Sequence, residues 1–283
     1  MDKELLKKLK AGVPFGAIPF DELIFDTLRS SLSSSASESP TLIVLCGPPG
    51  CGKSTIKEGL IKKEGITDYI NIDPDEIRTI LMANGVTFSD DKTMAGITNA
   101  FNKRMSDRAQ EMRLNIVFDT TGQNFQAVSG LIRSSKDLGY KTTFAVIWAS
   151  LETCKRRVDS RNKYLITSGS GRIQMPPEIV TSIYDKFLNG TASMLLIDYP
   201  VRADNVLLYN NDTDGAEPVL LFSKEGPRVT SSDFSGFYNM RLTVAAPFIT
   251  KIGKGGSKRK TYRRTYRKNK RSKTKRRKLR SFK

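Results

Sequence analysis

The residues Gly47-Pro48-Pro49-Gly50-Cys51-Gly52-Lys53-Ser54 follow the spacing G-x-x-x-x-G-K-[ST]. Glycines at those positions let backbone N–H groups turn inward around phosphate oxygens. A lysine next to the last glycine can reach the β and γ phosphates, and the hydroxyl after it can hold Mg²⁺. The run directly follows an apolar stretch, Thr41–Cys46, and directly precedes a helical pattern, the context in which such a loop works. The helix adds its positive N-terminal end to the anion site. We therefore take Gly47, Pro48, Pro49, Gly50, Cys51, Gly52, Lys53, Ser54 and Thr55 as the set that binds ATP, with Ser54 as the Mg²⁺ ligand. A Gly-rich strand–helix turn without a ligand is the plain alternative. Cys51 inside the loop reads as a small tolerated side chain rather than a redox centre.

A second constellation lies at Asn71-Ile72-Asp73-Pro74-Asp75-Glu76-Ile77-Arg78. Asp73, Pro74 and Glu76 spell a helix start, with Asp73 at the N-cap, Pro74 at N1 and Glu76 at N3 as in a capping box. That leaves the Asp75 carboxylate free at N2, with Arg78 three residues on along the same helical face. A carboxylate beside an arginine at a sheet edge can take a proton from an acceptor hydroxyl; simple compensation of the helix dipole is the bland alternative.

The sequence contains no histidine. That excludes Ser-His-Asp catalysis, His-ligated metals and imidazole acid–base chemistry. A GTPase would need N-K-x-D, and Asn162-Lys163 is followed by Tyr164-Leu165. Asp119-Thr120-Thr121-Gly122 meets only the formal D-x-x-G pattern. A small kinase built on a phosphate loop is the surviving class.

The elements that must position these groups alternate. Strand-like runs fall at Thr41–Cys46, Tyr69–Ile72, Leu114–Phe118, Lys141–Trp148 and Asn205–Tyr209, with Val219–Phe222 as a further candidate. Helical patterns separate them at 54–63, 75–83, 97–113, 127–138, 151–161 and 177–188. Alternation of this kind predicts an α/β fold in three layers, a mainly parallel sheet with helices on both faces. Residues 1–40 read as a helical extension and Ser-rich linker, 41–250 as the catalytic domain, and 251–283 as a basic tail; 224–250 carry no clear pattern.

Taken together, the loop, the I-D-P-D-E-I-R stretch, Val117-Phe118-Asp119-Thr120-Thr121-Gly122 and a later Arg-rich stretch resemble the zeta-toxin family of P-loop kinases. That family is similar in turn to the 5′-polynucleotide kinases. The match spans about Thr41 to Asn210. The resemblance implies that Asp75 is the base that activates the acceptor hydroxyl, with Arg78 beside it as a substrate-binding residue. It implies that Asp119, where zeta toxins carry Glu, helps to hold the substrate together with Thr121. The shorter carboxylate leaves sugar-nucleotide specificity open. It further implies that Arg157, Arg161 and Arg172 line a lid over the phosphates. Arg157 and Arg161 share a helical face with Arg156 alongside, and Arg172 follows in the next loop; a solvated basic helix is the alternative. Ser168-Gly169-Ser170-Gly171 could serve as the hinge of that lid.

Charge is distributed unevenly. Residues 251–283 hold 18 of the 47 basic residues and no acidic one, which leaves 29 basic and 29 acidic residues in the body. A block this dense in like charge repels itself and is expected to be disordered alone. With Tyr262 and Tyr266 interleaved it suits nucleic acid or another polyanion, or a nuclear address. Cys46, Cys51 and Cys154 lack metal spacing and fit a reduced compartment. The N-terminus lacks an apolar signal region and no run is long enough to span a bilayer, so an intracellular protein, cytoplasmic or nuclear, is expected. The leading expectation is an ATP- and Mg²⁺-dependent kinase acting on a hydroxyl of a small, sugar-nucleotide-like molecule. A polynucleotide 5′-hydroxyl kinase, and a nucleic-acid-binding or packaging protein with a vestigial loop domain, are the alternatives.

Overall fold

The computed structural model describes residues 2–30, 36–167, 175–188, 203–226 and 228–229. The expected hinge at 168–171, Arg172, and the tail at 251–283 lie outside them. The chain divides into two units, Met1–Phe234 and Ser235–Lys283, and the described residues belong to the first.

Its centre is a sheet of seven strands: β1 (Thr41–Cys46), β2 (Tyr69–Ile72), β3 (Asn115–Thr120), β4 (Lys141–Trp148), β5 (Asn205–Asn210), β6 (Val219–Glu225) and β7 (Arg228–Val229). Their order is β2-β3-β1-β4-β5-β6-β7. Neighbours from β2 to β5 run parallel, whereas β6 and β7 return antiparallel. The helices are α1 (Asp2–Lys10), α2 (Asp21–Leu28), α3 (Lys53–Glu64), α4 (Pro74–Ala83), α5 (Asp91–Glu111), α6 (Phe125–Asp137), α7 (Leu151–Thr167) and α8 (Pro177–Phe187). This is the expected three-layer α/β arrangement.

Helical crossovers between the parallel strands cover both faces of the sheet at its centre. Every residue of β1 is buried. On one face Ile43, Leu45, Val117, Ala145, Ile147 and Leu207 pack with Ile56 and Leu60 of α3, Val158 of α7, and Val180 and Tyr184 of α8. The alternate residues Leu42, Val44, Phe144, Val146, Val206 and Leu208 are buried on the other face, where α5 and α6 lie against the sheet.

Two helices differ from their sequence patterns. α5 begins at Asp91, earlier than the apolar periodicity predicts, because the Asp90 side chain caps it by accepting from the Thr93 N–H at 2.8 Å. That polar cap precedes any apolar residue on the buried face. α7 continues past Arg161 to Thr167.

The N-terminal helices pack against α5. Asp21, fully buried, takes Arg104 Nε at 2.8 Å and a second bond from its Nη2, while Arg104 Nη1 donates to the Val13 carbonyl at 2.7 Å. Arg29 and Ser30 then run beside β2, with the Ser30 N–H donating to the Tyr69 carbonyl at 2.9 Å. That pairing covers an otherwise bare sheet edge.

The carboxyl ends of the parallel strands share one edge of the sheet. Immediately beyond them come Gly47 after β1, Asp73 after β2, Thr121 after β3, Ala149 after β4 and Asn211 after β5. Ligands of open α/β sheets bind in the crevice at this edge.

Candidate active site

Gly47–Gly52 link β1 to α3. Gly50 and Gly52 hold φ of +81° and +89°, a left-handed backbone that a side chain would strain. The loop is also closely enclosed. A Cβ on Gly47 would stand 2.4 Å from the Ile147 carbonyl, and one on Gly50 would stand 2.4 Å from that of Cys154. The Gly47 N–H donates to Thr120 O of β3 at 3.1 Å, and the Cys51 N–H closes the turn on Pro48 O at 3.2 Å. Pro49 completes the turn, and Ser54 and Thr55 are exposed in the first turn of α3.

Lys53 folds back over this loop. Its Nζ donates to Gly47 O at 2.8 Å and reaches Pro48 O at 3.5 Å, with Asp119 Oδ1 at 3.6 Å. Burial alone would lower the ammonium, but the negative fields of Asp119 and Asp73 outweigh it and hold Lys53 charged. Asp119 lies near the end of β3, opposite Leu45 of β1 in the parallel register. Burial raises its carboxyl to about 6; Lys53 opposes that rise and Asp73 adds to it. The strand extends through Thr120, so Asp119 belongs to β3 and is fixed by the ladder. Thr121 follows it, its hydroxyl accepting from Gln123 Nε2 at 2.9 Å.

At the start of α4, Asp73 caps the helix as its sequence predicts, accepting from the Asp75 N–H at 2.8 Å. Pro74 occupies N1 and Asp75 N2. The Asp75 carboxylate is exposed and ion-paired with Arg78, whose Nε also donates to Pro74 O at 3.2 Å. Arg78 is lowered from the usual guanidinium range, first by burial and then by the positive charge of Arg161, while Asp73 opposes both. α4 and α7 thus bring Arg78 and Arg161 into one electrostatic neighbourhood. Asp73, read from sequence as a cap, also contributes charge beside Lys53 and Asp119. A D-x-D pair at a strand end is the signal for that second role.

Arg157 occupies a different place. Its Nη1 donates to Asn211 O at 2.8 Å and to Gly50 O at 3.3 Å, and its Nε donates to Asp214 Oδ1 at 2.7 Å. Arg156 takes the other oxygen of Asp214, from Nη2 at 2.6 Å. These bonds hold the Asp214 carboxyl below its usual range. The structure therefore brings together Lys53, Asp119 and Asp73 in one group, Asp75, Arg78 and Arg161 in a second, and ties Arg157 to the loop itself.

Burial pushes the thiols of Cys51 and Cys154 upward, the latter to about 12, so neither is a ready nucleophile. Among the described residues no group of three or more acidic or sulfur side chains could hold a metal alone. Mg²⁺ binding through one or two oxygens plus phosphates needs no such cage. Ser54 supplies a hydroxyl at the loop end, which fits that mode. No helix among the described residues is long and apolar enough to cross a membrane.

Comparison with known proteins agrees with this geometry. The zeta toxin family model matches residues 26–214. No curated protein matches the sequence. A structure from the PezAT chromosomal toxin–antitoxin system of Streptococcus pneumoniae superposes with a TM-score of 0.51 at 15% identity, over 77% of this chain and 82% of that one. The AvrRxo1-ORF1:AvrRxo1-ORF2 complex, solved once with sulphate ions and once with ATP, superposes with a TM-score of 0.53 at 16% identity, over 84% of this chain and 70% of that one. At these identities the superpositions show a shared fold.

Proposed function

We propose, from the premise that this chain belongs to the zeta toxin family, that it transfers the γ-phosphoryl group of ATP to a hydroxyl of a small, sugar-nucleotide-like acceptor. The observation that carries this reading is the position of Lys53, whose Nζ sits 2.8 Å from Gly47 O and 3.6 Å from Asp119 Oδ1 at the mouth of the loop. A charged lysine held there by a loop carbonyl and by Asp119 can exchange these partners for phosphate oxygens. The AvrRxo1 complex solved with ATP supports the nucleotide.

Each residue then has a task that its environment suits. The loop amides and the positive end of α3 receive the β and γ phosphates. Lys53 neutralises charge between them. The Ser54 hydroxyl would hold Mg²⁺ together with the phosphates, and the ion would neutralise phosphate charge. Asp75, exposed at N2, accepts the proton of the acceptor hydroxyl as its oxygen attacks the γ phosphorus and the bond to the β-phosphate oxygen breaks. Arg78 keeps Asp75 oriented through their ion pair. Asp119 and Thr121 line the acceptor side, and Arg161, with Arg172, stabilises charge developing on the transferred group.

The domain division at 40 and 250 is part of the same proposal, with the tail at 251–283 as a separate polyanion-binding appendage. Incubation with ATP labelled at the γ-phosphate, against sugar nucleotides, nucleosides and 5′-hydroxyl oligonucleotides, tests the assignment. Label on a sugar nucleotide supports it. Label confined to oligonucleotides would transfer the case to the polynucleotide-kinase reading, with the tail as a substrate tether.

A further inference from the structure

A phosphate loop works by turning backbone N–H groups inward, and each peptide plane that does so throws its carbonyl outward. An outward carbonyl that is buried needs a donor. Here two such carbonyls are taken by side chains distant in sequence. Asn211 Nδ2 donates to Cys51 O at 2.8 Å, and Arg157 Nη1 donates to Gly50 O at 3.3 Å. The Cys51 carbonyl shares its peptide plane with the Gly52 N–H, so Asn211 sets the direction of that N–H. The fit is close, because a Cβ on Gly52 would meet Asn211 Nδ2 at 2.0 Å.

These donors are themselves fixed. The Asn211 N–H donates to Trp148 O at 2.8 Å, which anchors it to the end of β4. Asp212 accepts from the Ser150 N–H at 2.7 Å, joining the same segment to the start of α7. Arg157 is steered by Asp214, which takes its Nε at 2.7 Å and takes Arg156 on the other oxygen. Nothing in the loop's own sequence specifies these partners.

We infer that Asn211, Arg157 and Asp214 form an external clamp on the phosphate loop, and that Asp214 is a positioning residue for ATP acting through Arg157. The inference rests on the kinase reading and refines it. It gives Arg157 a place against the loop rather than over the phosphates. A lid role for Arg157 and a clamp role make opposite predictions. If Asp214 held Arg157 away from the phosphates, removing Asp214 would release the arginine and tighten binding. If Asp214 holds Arg157 against the loop, removing it loosens the loop and weakens binding.

The test is titration of a non-hydrolysable ATP analogue into wild type, Asp214→Ala, Asp214→Asn and Asp214→Glu, with heat unfolding of each. Asp214 is exposed enough that the unfolding midpoints stay near wild type. Asp214→Ala weakens the analogue roughly tenfold, the scale of one lost charge-assisted contact. Asp214→Asn weakens it less, and Asp214→Glu restores most of the affinity. Adding Arg157→Ala to Asp214→Ala costs little more, since both act through one clamp. Unchanged or tighter binding by Asp214→Ala would overturn the inference. A wild-type chain that bound no ATP analogue would overturn the kinase reading, and this inference with it.

Discussion

Lys53 Nζ stands 3.6 Å from Asp119 Oδ1 while its hydrogen bond, at 2.8 Å, goes to the carbonyl of Gly47 in its own loop. The ammonium is thus retained at the site by partners it can leave. Lys53→Ala should keep the fold, because among the described residues that side chain bonds to the loop and pairs with Asp119. ATP affinity should fall about 10- to 100-fold, as expected for loss of a charged partner. Titration calorimetry checks this, and ATP affinity equal to wild type would remove the lysine from the site.

The two carboxylates at the start of α4 should separate on mutation. Asp75→Asn leaves ATP affinity near wild type and lowers turnover by roughly 10²–10⁴, the usual contribution of a positioned base. Asp73→Asn retains the cap on the Asp75 N–H, since Asn caps about as well as Asp. It should therefore cost less turnover than Asp75→Asn. Steady-state kinetics on both variants decides, and the reverse ranking would exchange their roles.

Asp119 carries a pH signature. Its carboxyl, raised to about 6 by burial and by Asp73 against the pull of Lys53, gives turnover an acid limb near that pH. Asp73→Asn removes a negative neighbour and should move the limb to lower pH. The stability effect has a definite sign. The folded chain holds the Asp119 proton more tightly than the unfolded one, so its contribution is complete below about 4 and is lost as pH rises through about 6. Asp119→Asn should flatten that part of the stability curve in chemical unfolding measured from pH 4 to 7.

Gly52→Ala should disable the loop by two routes. Its φ of +89° costs a Cβ-bearing residue about 1–2 kcal/mol. The new methyl would also displace Asn211 from Cys51 O. A lowered unfolding midpoint together with lost ATP binding is expected, whereas Gly59→Ala, where a Cβ meets nothing within 4 Å, should be tolerated.

Much of this site was legible because its information is local. The loop motif, the Asp73–Pro74 helix start and the apolar runs of β1, β2 and β4 each depend on residues within a few positions. Their strands end where the apolar runs end, so the sheet edge that carries the site followed directly. β3 was less clear. Asp119 and Thr120 look like loop residues, yet parallel pairing with Leu45 and Cys46 carries the strand through them. The start of α5 depended on a polar cap at Asp90, outside the apolar periodicity. The clamp was not legible at all. Asn211 and Asp214 acquire meaning only when β5 delivers them beside Gly52 and α7, 160 residues from Cys51 in the case of Asn211. Arg157 shared a helical face with Arg161 in sequence, and only tertiary contact shows that Arg157 is bonded to the loop.

The most direct measurement is phosphorus NMR of the wild-type chain with ATP, Mg²⁺ and a sugar nucleotide. The account predicts loss of the γ resonance, growth of ADP, and a new phosphomonoester resonance that needs the acceptor and disappears with Asp75→Asn. ADP with inorganic phosphate alone, or an unchanged ATP spectrum across sugar-nucleotide acceptors, would contradict it.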